Sequence, residues 1–499
     1  MTPATGATIC VPLSDSRANV KTWARTSGPG FAVTSPRRCS TLSSATPSSV
    51  SAVQSEGHGQ IWSVDEHLDD ILATVQPLDP IELQLLDAQG CVLVEDVTVP
   101  VSLPPFDNSS MDGYAVRVAD VAGASEEFPA VLTVIGDVAA GRVGPDDRLT
   151  VGPGQAARIM TGAPLPPGAE AVVPVEWTDG GLGAGPVASM SAHSASPEGA
   201  SGEVRVHRPA AARAHVRAQG SDVQAGDKAL TTGTVLGPPQ IALLAAIGRG
   251  TVRVRPRPRV VVVSTGSELV QPGEQLTEGQ IFDSNSFALT AAARDAGAIA
   301  YRVGAVADDA ETLRSTIEDQ LIRADLIVTT GGVSVGAYDV VKEALTAVGD
   351  PDEEGGLGAG SGVEFRKLAM QPGKPQGFGS VGPDHTPLLA LPGNPVSSYV
   401  SFELFVRPAV RTLMGLPAES VHRPTVRAAL STDKALTSPS GRRQFLRGAY
   451  DAETGRVAPV GGSGSHLVAA LAHADALIVV PEDVTSVEPG AEVDVVLLG

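Results

Sequence analysis

The run RVVVVSTGSE, residues 259–268, sets the reading of the whole chain: an apolar strand that breaks at Gly266 into a polar turn. The chain beyond it keeps one rhythm. A helical pattern over about 286–296 leads to a strand over 299–306 and a helix capped at Asp308 or Asp309. A strand over 326–329 then enters TTGGVSVGAYD, residues 329–339, with a helix expected from about Asp339. Strands near 365–370 and 388–391 and a helix after Pro395 complete the series. Strands alternating with helices imply a doubly wound parallel or mixed sheet, helices on both faces, over residues 259–415.

In such a sheet the strand-to-helix junctions lie along one carboxyl edge. Three of them are Gly-rich: Ser264-Thr265-Gly266-Ser267-Glu268, Thr330-Gly331-Gly332-Val333-Ser334-Val335-Gly336 and Leu391-Pro392-Gly393-Asn394-Pro395. Glycine lets the backbone approach an anion closely, and a helix start supplies unpaired N–H groups. A tight turn explains any one of these loops, whereas three on one edge favour an anion site. Its candidate lining is Thr265, Gly266, Gly331, Gly332, Ser334, Gly336, Gly393 and Asn394. Lys367, in a strand, and Lys374, in the turn after it, lie close enough to that edge for phosphate contacts. Glu268, Asp283 and Asp339 add carboxylates, and Mg²⁺ takes oxygen ligands of this kind beside a phosphate. Helix capping is the other role open to an Asp at a helix start. It suits Asp283, while Glu268 and Asp339 are read as metal candidates.

Outward from this centre the patterns change. Val64, Leu68, Ile71, Leu72 and Val75 recur at helical spacing behind Ser63, with Glu66 placed for a capping box, and Pro77 ends that helix. A second helix is expected from Asp79-Pro80 through Leu83, Leu86 and Ala88 to Gly90. From Cys91 to about Thr234, short apolar runs broken by Gly, Pro and Asp predict β-structure. The N-terminal region 61–258 is thus β-rich and two-lobed, with an inserted flexible Gly/Ala/Ser loop at 179–203 and strands over 131–138 and 204–216 flanking it. Residues 416–499 return to strand patterns, clearest at 476–480 and 493–498, and form a small β-barrel-like domain. Residues 1–60 are rich in Ser and Thr and lack apolar periodicity, so they read as a disordered extension.

Composition bounds the partners. The 499 residues are 42% hydrophobic, enough for buried cores, and hold no apolar run of membrane-spanning length. With 36 basic against 56 acidic residues the net charge is −20, which argues against nucleic acid and makes any anion site a local pocket. Three cysteines exclude a disulfide framework or a cysteine-built zinc site and fit a reducing cytoplasm.

Eight segments, in order, resemble the molybdopterin molybdenumtransferases, the molybdenum-insertion family to which the E domain of gephyrin also belongs. They are PPFDNSSMDGYA (104–115), RIMTGAPLPPGAEAVVPVE (158–176), VVVVSTGSELVQPGE (260–274), TTGGVSVGAYD (329–339), KLAMQPGKP (367–375), LPGNPVSS (391–398), GRRQFLRG (441–448) and GSGSH (462–466). The resemblance spans about residues 62–499. It implies an enzyme that receives adenylylated molybdopterin, inserts molybdate at the dithiolene sulfurs with Mg²⁺ present, and releases AMP. It also implies a homodimer of four-domain subunits with the active site at their junction, an adenylyltransferase as upstream partner and molybdoenzymes as acceptors.

By matching motif the resemblance adds Asp112 and Thr161 from the β-rich region. It assigns roles to Asp339, Lys367, Lys374, Pro392 and Pro395 in the α/β region, and to Arg442 and Ser465 near the end. Asp339 is expected to position Mg²⁺; Asp112 is expected to hold metal or orient a water or molybdate oxygen. Lys367 and Lys374 would neutralise phosphate charge. The chain departs from the family pattern at Ser267, where many members carry Asp, at Gln371, often Lys, and at Ser221, often Glu. Glu268 offers a carboxylate beside the first departure. Two other functions compete: a molybdopterin adenylyltransferase, whose one domain resembles residues 259–415, and a non-enzymatic pterin-binding scaffold.

Overall fold

The computed structural model describes residues 61–141, 149–183, 185–188, 202–332, 340–346 and 362–499. The expected extension 1–60, most of the expected loop 179–203, and Ser334, Gly336 and Asp339 lie outside the described residues.

The valine run forms the strand Arg259–Thr265, paired in parallel with Ile299–Val306 on one side and Leu326–Thr330 on the other. Four strands continue beyond Leu326–Thr330: Thr386–Leu391, Pro375–Val381, Glu364–Leu368 and Ile61–Trp62. Of the seven, Pro375–Val381 alone runs antiparallel to its neighbours. No strand was expected there, because two glycines dilute its β pattern; cross-strand pairing supplies what local propensity lacks. Alternate valines serve opposite cores. Val260 and Val262 join Leu289, Phe402 and Phe405 under the helix Asn285–Asp295 and the helical run from Pro395–Ser401 to Arg407–Leu413. Val261 and Val263 join Leu313, Ile317 and Val341 under Ala310–Leu321 and Val340–Thr346. A strand buried on both faces cannot alternate polar and apolar residues, hence the unbroken run.

The chain start also belongs to this sheet. Ile61–Trp62 pairs with Lys367 and Leu368, and the helix Val64–Thr74 comes next, behind the capping box of Ser63 and Glu66. Arg366 holds it through Asp70 at 2.6 Å while stacking 3.9 Å from the Trp62 ring. Arg443 reaches the same helix from the C-terminal region, donating to both oxygens of Asp65 at 2.7 and 2.8 Å. The arginine beside Asp65 holds its carboxyl below the usual carboxylate range.

The second expected helix is not formed. Ile81–Gln84 is a strand, antiparallel to Thr251–Arg255 across four residue pairs, and residues 85–90 make turns. Leu83 meets the core of its lobe through this pairing, so tertiary contact overrides the helical spacing. The two-lobed β-rich region is otherwise as the pattern implies. One lobe centres on a five-stranded sheet in which Ala130–Val138 pairs with Gly202–Val206; the other packs Leu93, Val97, Leu236, Leu244 and Val252 together. The expected strand over 204–216 stops at Val206 and resumes only as Val216–Arg217.

The C-terminal residues close a five-stranded barrel. Arg443–Asp451 pairs with Arg456–Pro459, which leads through Thr425–Leu430 and Glu492–Leu497 to Ala476–Val480 and back to Arg443–Asp451. Met370–Gln371 adds to the edge of Arg443–Asp451, so the turn carrying Lys374 is held between sheet and barrel. Among the described residues no helix is long and apolar enough to cross a membrane.

His67 of the first helix is fully buried, its ring 4.8 Å from Phe405 and neither nitrogen partnered among the described residues. Burial, with the nearby Arg366 charge, pushes its pKa down to about 4. An unfolded chain takes up this proton near pH 6.5, before the folded one does, so stability falls as pH drops from about 6.5 toward 4. The full loss amounts to about 3 kcal/mol. Denaturant titrations of wild type and His67→Phe at pH 7 and pH 4.5 should show a smaller acid loss in the variant.

Candidate functional site

Leaving the central strand Arg259–Thr265, the chain goes first to one neighbour and later to the other. The carboxyl ends of Arg259–Thr265 and Leu326–Thr330 therefore open a crevice at the point where the winding reverses. A cavity of about 580 Å³ occupies it, lined by all three Gly-rich junctions. One hydrogen-bond network joins two of those junctions to a helix start. Asn285 Nδ2 donates to Thr330 Oγ1 at 3.1 Å and to the Gly393 carbonyl at 2.7 Å. Thr330 Oγ1 also lies 3.1 Å from the Pro392 carbonyl and 2.9 Å from Ser398 Oγ. Gly331 has φ +104°, and a Cβ there would stand 2.4 Å from the Thr265 carbonyl oxygen, so only glycine lets the first two junctions pack this closely. Thr265 Oγ1, buried in the cavity wall, has no partner among the described residues.

A second cavity, about 350 Å³, adjoins the first across Gly393 and Asn394, which line both. The 370–375 turn forms one wall, and the barrel supplies Arg442, Ser463 and Ser465 opposite. Both walls are braced. Buried Gln376 donates to the Gly373 carbonyl and to Ser401 Oγ, each at 2.6 Å. Buried Arg447 donates to the carbonyls of Gly462 and Gly464, and the Val396 amide donates to the Ser465 carbonyl at 3.0 Å.

The two cavities differ in charge. Among the described residues the second presents Lys374 and Arg442 and no carboxylate, and the first presents Glu268, Asp283 and Asp308 and no Lys or Arg. Asp283 is spoken for: it accepts from Ser264 Oγ at 3.0 Å and from the Ser286 amide at 3.1 Å and hydroxyl at 2.5 Å, the capping role its position suggested. Asp308 accepts from the Ser267 amide at 3.0 Å, and its own amide donates to Ser267 Oγ at 3.2 Å. The departure at Ser267 thus anchors a neighbouring carboxylate at the cavity mouth. Glu268 and Asp308 are exposed there, while among the described residues no three acidic, His or Cys groups converge on a metal-sized point.

Of the residues singled out from sequence, Thr265, Gly266, Glu268, Gly331, Gly332 and Pro395 line the acidic cavity; Lys374, Pro392, Arg442 and Ser465 line the basic one. Gly393 and Asn394 line both. Lys367 is exposed on its strand, in register with Ile61 and Pro375, and lines neither. Asp112 and Thr161 are brought to each other, the Thr161 amide and hydroxyl both donating to Asp112 Oδ1 at 2.7 and 2.9 Å, but they sit in the β-rich region and line neither cavity. Asp339, Ser334 and Gly336 lie outside the described residues. Sequence reasoning passed over Asn285, Asp308, Ser463 and His466. Asp308 comes after the strand Ile299–Val306, which ends at the same edge, a signal present in the chain; Asn285 opens the helix that follows a small side sheet, and Ser463 and His466 come from another domain.

Residues 62–248 match the family described as MoeA N-terminal region (domain I and II). Residues 261–412 match a probable molybdopterin binding domain, and residues 429–498 match the MoeA C-terminal region (domain IV). The chain is 45% identical over 433 residues to molybdopterin molybdenumtransferase 2 of Mycobacterium tuberculosis, an alignment covering 87% of this chain and 98% of that protein. It is 34% identical to the molybdopterin molybdenumtransferase of Bacillus subtilis, covering 83% and 89%. Among solved structures, the molybdopterin biosynthesis moeA protein from Pyrococcus horikosii aligns with a TM-score of 0.64 at 32% identity, over 88% of this chain and all of that one.

Because the Gly331 approach is tight, Gly331→Ala should lower stability by about 2–4 kcal/mol. Gly233→Ala, also at positive φ but with nothing within 4 Å of the added methyl, should cost about 1 kcal/mol. Denaturation midpoints of the two variants measure the difference; equal losses would show that the junctions tolerate separation.

Proposed function

The chain belongs to the molybdopterin molybdenumtransferase family, and on that premise we propose how its two joined cavities divide the insertion of molybdenum into molybdopterin. The observation that carries the reading is the segregation of charge across the shared Gly393–Asn394 wall. Molybdate, a tetrahedral dianion and a substrate here, suits the basic cavity, where Lys374, Arg442, Ser463 and Ser465 supply donors from two sides. The pyrophosphate of adenylylated molybdopterin suits the glycine-lined acidic cavity, with Thr265 Oγ1 as an unspent donor or acceptor. A substrate lying across the wall brings its dithiolene beside the oxyanion, and AMP is the product released.

An acidic cavity takes a phosphate only with a cation between them, so the donor set fits Mg²⁺. Glu268 and Asp308 are the described carboxylates at the cavity mouth that would hold it, with Asp339 as a further candidate ligand beside substrate oxygens and waters. When bound, Mg²⁺ supplies neutralisation of the phosphate charge. The chain's own part is to fix the phosphate against the Gly331 and Gly393 turns and to hold the oxyanion on the far side.

Asp112 and Thr161 enter the proposal through a homodimer. Already paired with each other and exposed, they would face the cavities of a second copy, Asp112 holding metal or orienting a molybdate oxygen, and Lys367 would meet phosphate at the same junction. The cytoplasm, where thiols stay reduced, is the proposed compartment, with an adenylyltransferase supplying the substrate and molybdoenzymes taking the product. The barrel favours insertion over adenylylation or scaffolding: an adenylyltransferase domain needs no such element, yet here it builds one wall of the basic cavity.

AMP release from adenylylated molybdopterin should require both Mg²⁺ and molybdate; release indifferent to molybdate would overturn the reading. Lys374→Ala should raise the molybdate KM tenfold or more, roughly the loss of one charge-assisted contact. At molybdate far below the Lys374→Ala KM, where Asp112→Ala and Lys374→Ala each turn over little alone, co-expression should restore about a quarter of wild-type activity, because half the dimers are mixed and each mixed dimer has one intact site. No recovery would place Asp112 outside the site.

A further inference from the structure

The barrel loop at residues 463–466 straddles the wall between the cavities. Ser463 and Ser465 line the basic side, and the next residue, His466, lines the acidic side. There it is alone in kind: of the described residues lining that cavity, His466 is the one able to present a cationic or nitrogen-borne N–H from a side chain of the barrel, the other ionisable groups being Glu268, Asp283 and Asp308. Arg302, which does not line the cavity, lies 3.9 Å from Asp283 and is stacked 4.2 Å from the Phe287 ring. Among the described lining residues a phosphate in this cavity therefore meets one imidazole, with backbone, Asn, Ser and Thr groups beside it.

The backbone of the loop that carries it is held at several points. Arg447 ties down the carbonyls of Gly462 and Gly464, the Val396 amide ties down Ser465, and the His466 carbonyl accepts from the Val468 amide at 2.9 Å. An exposed histidine on a free loop is ordinarily a solvated surface group; one on a backbone tied down beside a cavity stays within reach of what binds there. Resting on the function proposed above, we infer that His466 is a catalytic residue that donates a hydrogen bond to the substrate's phosphate and stabilises the phosphate that departs. In that cleavage a water oxygen bonds to one phosphorus and the bridging P–O bond breaks. Its electron pair stays on the departing phosphate, and two phosphomonoesters and two protons result. The donor counts for most when charge gathers on the departing oxygen, so its removal acts on kcat.

His466→Ala should lower kcat for molybdate-dependent AMP release by about 100-fold, the usual loss for one such donor, with the molybdate KM within about twofold of wild type. His466→Gln, which keeps an N–H at similar reach, should recover most of that loss. An alanine variant with wild-type kcat, or one that loses molybdate affinity alone, would overturn the inference, as would a glutamine variant no better than alanine. AMP binding with Mg²⁺, monitored by calorimetry on the full-length protein, gives a readout independent of turnover. Weaker AMP binding in His466→Ala supports the contact, and unchanged binding counts against it. Wild-type protein that binds AMP but releases none from the adenylylated pterin would sink the proposed function and leave the His466 contact to be judged on binding.

Discussion

The parallel pairing of Arg259–Thr265 with strands on both sides governs the arrangement of this molecule. Parallel strands require crossovers, and crossovers that leave in opposite directions cannot fill the space above the strand ends they depart from. The resulting crevice is lined by junctions whose N–H groups have left the sheet ladder and not yet entered a helix. Thr330, Asn285 and Ser398 then draw the second and third junctions together through side-chain bonds, with Gly331 admitting the first by lacking a Cβ. Loosen any of these and the floor of the acidic cavity widens.

The barrel turns that crevice into a divided site. Its contact with the sheet runs through Met370–Gln371 on one strand and through Arg443 to Asp65 on the first helix. These fix the height at which Arg442 and residues 463–466 stand over the rim. Charge segregation arises from the origin of the walls: the junction loops contribute carboxylates, of which Asp283 caps a helix, while the 370–375 turn and the barrel contribute the basic groups. Under the proposed function, an oxyanion in one cavity and a phosphate in the other would lie a short distance apart without sharing ligands.

Much of the centre was legible in the chain. The Ser63–Glu66 box, the Asp309 cap and the Val260–Val263 run are local signals, carried by side chains that bond or bury within their own element, and each forms as its pattern says. Asp283 caps its helix for the same reason. Failures occur where a partner distant in sequence decides. Residues 79–90 carry helical spacing, but Thr251–Arg255 claims Ile81–Gln84 as a strand. Pro375–Val381 has little strand character until it is wedged between Glu364–Leu368 and Thr386–Leu391. Lys367 and Lys374 look alike as neighbours of one edge, yet of the two Lys374 lines one of these cavities and Lys367 neither, since a strand and a turn aim their side chains differently.

The family, most of the alternation of strands and helices in the α/β region, and the gathering of three glycine junctions on one edge were readable from the amino-acid sequence, because periodicity and short motifs are local properties. Tertiary structure alone decided that those junctions form one acidic cavity beside a basic one, that a loop of the barrel divides Ser465 from His466 between them, and that the first helix braces sheet against barrel. The physical reason is that cavities and charge contrasts arise from surfaces brought together across hundreds of residues, and no spacing along the chain encodes which side of a wall a side chain will face.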